Sequence, residues 1–186
     1  RMGIMAAETA STYIFPAEFY ESVDYKTPIS AGIGISIPVF KHLSIETGVN
    51  YSYLLTQYNA NLIDAQMNLH YIGIPCRMAY KFVDCPTWGM YSAAGATLEK
   101  GIWSSYQQNQ HFTNSVITTN ISKPIDGLQW SVQFSVGASI NLTDKLAAYA
   151  EPKLGYYFAN NQPASIRTNS ALNIGLEAGI RWRIGN

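Results

Sequence analysis

Apolar side chains fall on every second residue through most of this chain. Between Leu128 and Leu142 the alternation is unbroken. Leu128, Trp130, Val132, Phe134, Val136, Ala138, Ile140 and Leu142 form one series; Gln129, Ser131, Gln133, Ser135, Gly137, Ser139 and Asn141 form the other. A period of two puts the series on opposite faces of an extended strand. Thr27–Val39, Leu43–Leu55, His70–Phe82, Trp88–Lys100, Leu146–Phe158 and Leu172–Ile184 read the same way. The opening Arg1–Ala7 alternates as well, which makes eight predicted strands, and no helical period competes.

The connections alternate in length. Phe40–His42, Val83–Thr87 and Thr143–Lys145 are tight; Glu8–Lys26, Thr56–Leu69, Gly101–Gly127 and Ala159–Ser170 are long. An antiparallel up-and-down sheet would gather the tight turns and both termini at one end, and the long loops at the other.

Composition narrows the choice of solvent for each face. Charged residues are only 13% of the 186, against about 25% in soluble domains. The net charge is zero, with 12 basic and 12 acidic residues, so no nucleic-acid partner is expected. No apolar run approaches the roughly 18 residues of a transmembrane helix. A single domain over 1–186 is expected, with the natural chain beginning upstream. Cys76 and Cys85 lie roughly 30 Å apart in an extended chain, well beyond the about 4.4–6.8 Å of a disulfide. With no histidine beside these thiols, neither a metal nor a cofactor is expected.

An eight-stranded barrel has room inside for little more than its own side chains. Seven of the strands each carry five to eight apolar residues on one face, which together would overfill it. The Gly, Ser, Asn and Gln face fits such an interior. The expected fold is therefore an all-β, eight-stranded antiparallel up-and-down transmembrane barrel, apolar face out. Aromatic girdles fall at Tyr80, Phe82, Trp88 and Trp182 near the tight turns, and at Tyr51, Tyr53, Trp130, Tyr156 and Phe158 near the long loops.

The inward series then carries Glu46, Glu99, Glu151 and Glu177 with Arg77, Lys81, Lys153, Arg181 and Arg183. Buried charges must be paired and hydrogen-bonded, so these nine are the candidate polar network. A structural plug of salt bridges is preferred over an ion or substrate path, because open channels belong to barrels of about 16–18 strands. On the apolar face Ile180→Asp is expected to harm assembly more than Gly179→Ser. Catalysis has little support; His70 or His111 with Ser104 or Ser105 is the one arrangement that would mimic an outer-membrane lipid-modifying enzyme. The segment Ser11–Tyr25, with Tyr13, Phe15, Phe19, Tyr20 and Tyr25, is the candidate partner-binding loop, since aromatics favour interface cores.

The stretches HLSIETGVNYSYL, LHYIGIPCRMAYKF, LQWSVQFSVGASINLTDKLAAYAEPKLGYYF and PASIRTNSALNIGLEAGIRWRIGN resemble the Bacteroidota-type outer-membrane β-barrel domain, OmpA/OmpX-like in size, from about Thr27 to the C-terminus. The resemblance implies a bacterial outer-membrane location, termini in the periplasm and long loops outside. It implies contact with outer-membrane lipid and with the barrel-assembly machinery during biogenesis. The last strand is similar to the signal that machinery reads, although it ends Ile184-Gly185-Asn186 where an aromatic is usual. Some members place an N-terminal anti-sigma region before the barrel. The expected function is thus a non-catalytic anchor, accessory subunit or loop-presenting protein in the envelope, with another outer-membrane protein as candidate partner. The alternative is a small channel or a lipid-modifying enzyme.

Overall fold

The computed structural model describes residues 21–60, 63–112, 115–159 and 166–185. These form nine strands: β1 (Ser22–Tyr25), β2 (Ile29–Phe40), β3 (Leu43–Ala60), β4 (Ile63–Asp84), β5 (Trp88–Phe112), β6 (Ser115–Lys123), β7 (Leu128–Asn141), β8 (Leu146–Tyr157) and β9 (Leu172–Arg183). One helical turn, α1 (Ile166–Asn169), precedes β9. Gly127, at a φ of 88°, turns the chain into β7 where a side chain would be strained.

The sheet runs β3-β2-β9-β8-β7-β5-β4 and returns to β3 through the β3–β4 pairing, so it is ring-like. Neighbours are antiparallel except β2 and β9, which pair in parallel over Ile29↔Leu176 to Ser36↔Arg183. Parity explains the exception. A ring of alternating strands closes antiparallel only with an even count, and among the described residues it has seven. The expected eighth strand, Arg1–Ala7, lies outside the described residues. The expectation of a wholly antiparallel ring is corrected at this one seam.

The alternation decides which way each residue faces. Ile33, Ile174 and Trp130 point outward at 68%, 62% and 54% exposure, whereas Ser52, Glu99 and Glu151 point inward at 1% or less. The outward face carries the predicted aromatics: Tyr80, Phe82, Trp88 and Trp182 toward the tight turns, Tyr51, Trp130, Tyr156 and Phe158 toward the other end. Cys76 is exposed on this face, Cys85 sits in the β4–β5 turn, and both are free.

Two expected long loops are largely strand instead, and a third, Glu8–Lys26, contains β1. β3, β4 and β5 have 18, 22 and 25 residues. Thr56–Ala60 and Ile63–Met67 pair as a ladder, Thr56↔Met67 through Ala60↔Ile63. Within Gly101–Gly127, β5 continues to Phe112 and β6 returns beside it as a hairpin, paired from Ser104↔Lys123 to Phe112↔Ser115. Beyond the ring, β1, β3, β4, β5 and β6 thus continue as a projecting sheet. The alternation hides this because the strand changes phase. Tyr71 pairs with Gly101 and His70 with Trp103, leaving Ile102 as a bulged residue. Odd positions Glu99 and Gly101 are buried before the bulge, and the even Gln108 after it.

The parallel seam depends on two glycines. Gly32 and Gly179 are paired across it, and a Cβ on Gly179 would run into the Gly32 carbonyl and lie 2.9 Å from the Tyr149 hydroxyl. Gly179→Ser is therefore expected to lower stability by about 1–3 kcal/mol, an overpacking cost. A urea titration reads it. The close approach gives Gly179→Ser a cost of its own, beside that expected of Ile180→Asp.

Candidate functional site

The interior of the ring is a stack of ion pairs, and the strand register builds it. Glu46 and Arg77 are cross-strand neighbours on β3 and β4, with Arg77 Nε donating to the Glu46 carboxylate at 3.0 Å. Arg181 reaches the same carboxylate from β9 at 2.6 Å. On β8, Glu151 accepts from both ends of the Arg77 guanidinium and from the Tyr91 hydroxyl. The Arg181 guanidinium lies 4.4 and 4.8 Å from the ring centres of Tyr149 and Tyr91. Such stacking suits guanidinium better than ammonium.

Glu151 and Glu177 sit directly opposite each other on β8 and β9, an unfavourable like-charge pair in a sheet. Separate cations resolve it. Arg77 serves Glu151, while Lys153 reaches Glu177 at 2.9 Å, where the Tyr149 hydroxyl also donates at 2.9 Å. Lys153 Nζ also contacts Ser30 Oγ at 3.0 Å. Ser30 and Ser52 are linked at 3.0 Å, and Ser52 donates to Glu99 at 2.9 Å. The chain of contacts ends at Arg167 of α1, which lies 2.9 Å from Glu99. Its guanidinium sits 4.3 and 4.9 Å from the Tyr157 and Tyr71 ring centres. Burial works against the Arg167 charge, but Glu99, followed by the two phenols, more than offsets it and holds the pKa above the ordinary arginine value.

Seven of the nine predicted charges meet here: Glu46, Arg77, Glu99, Glu151, Lys153, Glu177 and Arg181. The other two do not. Lys81 stands at the tight-turn rim with Asp84 at 3.4 Å, and Arg183 lines the same rim. Arg167 takes the place in the network that the alternation assigned to them, giving four carboxylates against four cations. It escaped the sequence reading because it lies in a connection, where period two carries no information. The signal was present at Glu99. Its register partners are Gly73 and Gln129, neither a cation.

Above the charges an apolar cluster of Leu54, Leu69, Tyr71 and Ile125, with Met67 and Ile166 against it, fills the long-loop end. Gly101 is needed there, since a Cβ would meet Ile125 side-chain atoms at 2.5–2.9 Å. Cavities that touch the inner charges measure only about 30 and 20 Å³, space for about one water molecule each. Arg167→Ala should loosen this end. Water can then reach Glu99, so the expected loss is about 1–3 kcal/mol. Faster amide hydrogen exchange across Ile166–Ser170 is the measurement.

The remaining candidates are not brought together. His70 contacts the Tyr51 hydroxyl at 2.5 Å, and Ser104 donates to the Lys123 carbonyl at 2.9 Å. His111 lies 3.2 Å from Asp64. The residues Tyr13, Phe15, Phe19 and Tyr20 lie outside the described residues, and Tyr25 pairs with Thr56 at the edge of the projecting sheet. Among the described residues no group of three His, Cys, Asp or Glu side chains is placed to hold a metal. Compared with known proteins, the chain matches no family model and no curated protein sequence.

Proposed function

We propose that the chain is a non-catalytic transmembrane β-barrel of a bacterial outer membrane, anchoring itself there and presenting its long-loop end to another outer-membrane protein. One observation carries the reading: the ring is apolar outside and charged inside, the reverse of a water-soluble barrel. A belt of exposed Ile, Leu, Val, Phe and Trp this continuous needs a solvent other than water. Its height suits hydrocarbon. Leu172 and Trp182 are ten residues apart on β9, about 25 Å at a rise of roughly 3.3 Å and a tilt near ~40°. A closed ring also leaves no sheet edge unsatisfied in lipid.

On this reading the tight turns and the end of β9 face the periplasm, and the projecting sheet stands outside the cell. The barrel-assembly machinery would insert the chain, and envelope signalling is a fitting role for a barrel whose interior is filled. The expected eight-strand count would require Arg1–Ala7 to enter between β2 and β9, antiparallel to both. Gly179→Ser folding as well as the parent would favour that arrangement over the direct seam.

The test is refolding into phosphatidylcholine vesicles. Expected are heat-sensitive migration on a detergent gel, no steady conductance in planar bilayers, and loss of a partner complex on deleting Ser11–Tyr25. A monodisperse monomer in detergent-free buffer would overturn the membrane assignment. A steady conductance would overturn the closed interior and favour a small channel. Lipid acyl release abolished by replacing His70 or His111 would favour an enzyme.

A further inference from the structure

The interior charges cancel, but those at the tight-turn mouth do not. Arg183 lines three adjoining spaces at this end, two of them open volumes of about 430 and 650 Å³. Lys41 and Lys81 share the first of these with it, and Lys145 lies across the mouth. The acids at the mouth itself are Asp84 and Asp144; Glu46, which lines the smallest of the three spaces, is already paired with Arg181 of the same lining. Four fixed cations against two carboxylates leave a surplus of two positive charges, to which His42 adds one when protonated. Asp84 is already engaged by Lys81 at 3.4 Å, and Arg183 has no acid within ion-pair reach among the described residues.

The geometry points to an anion site at this mouth, with a phosphate group as ligand. Charge is the first reason, since a surplus of two matches a phosphate dianion. Shape is the second: a guanidinium fork presents paired donors to phosphate oxygens, and an ammonium adds a point charge. Ser36, Ser44 and Thr143 hydroxyls line the same spaces and can donate. Concavity is the third, because a mouth lined by one sign of charge concentrates counter-ions. Two sources carry such a group, a free ion and a lipid headgroup at the membrane surface. The lipid source rests on the membrane reading above; the free-ion source does not.

Inorganic phosphate titrated into the folded, detergent-solubilised chain at low ionic strength, followed by calorimetry, tests the site. Folding is verified independently by heat-sensitive migration, so failure to bind and failure of the membrane reading are separate results. Saturable binding is expected, weakened about tenfold or more by Arg183→Gln and again by Lys81→Gln. Lys123→Gln removes the same charge at the opposite end and should leave it unchanged. Absence of saturation at millimolar phosphate would overturn the site, as would equal weakening by Arg183→Gln and Lys123→Gln. In nanodiscs, competition by phosphatidic acid but not phosphatidylcholine identifies the lipid phosphate as occupant; no competition identifies the free ion.

Discussion

Glu151→Ala is expected to be the most damaging single substitution in this protein. The Glu151 side chain is fully enclosed and holds the Arg77 guanidinium by two contacts, the Tyr91 hydroxyl by a third and the edge of Arg181 at 4.0 Å. Removing it strands Arg77 and Arg181 around Glu46 alone, three groups with one excess positive charge and side chains only 5–12% exposed. Breaking a buried pair from one side costs about 3–5 kcal/mol, because the orphaned charge remains desolvated. The loss should appear as a lower urea midpoint. A double variant tests the cause: Glu151→Gln with Arg77→Met removes both charges and should recover much of the loss. Equal stability of Glu151→Ala and parent would mean that the interior is wet.

Leu176→Arg is the second. Leu176 is 51% exposed on the outer face, midway between Leu172 and Trp182 on β9. On a water-facing surface an arginine there would be neutral or would help solubility. At the midplane of a bilayer it costs about 2–4 kcal/mol. Folding yield into phosphatidylcholine vesicles should fall, while the same change at Val116, on the projecting sheet, should have little effect. Equal yields at both positions would sink the membrane assignment. Ile180→Asp, nearer the tight-turn end of the strand, belongs to the same class and should cost less.

How much of the fold is legible in the sequence varies from element to element. β7, β8 and β9 fall where the alternation places them, and every inward residue from Gln129 to Ser139 is where period two puts it. β5 was legible only up to Lys100. There the bulge at Ile102 reverses the phase, and a reader following one alternation sees the pattern end. The last five residues of β3, Thr56–Ala60, contain no Leu, Ile, Val or Phe and resemble a loop, yet they are paired with β1 and β4.

By itself the sequence determined what is local. A side chain's face follows from the parity of its position, so the strands, the outward apolar belt and seven of the inner charges could be read from neighbours two residues apart. The tertiary structure decided what depends on register between distant strands. It closed the ring through a parallel seam at Gly32 and Gly179, sent Lys81 and Arg183 to the rim, and brought Arg167 from a connection to Glu99. Ion pairing is a matter of three-dimensional distance. Residues 68 positions apart, Glu99 and Arg167, have no pattern along the chain that could announce their contact.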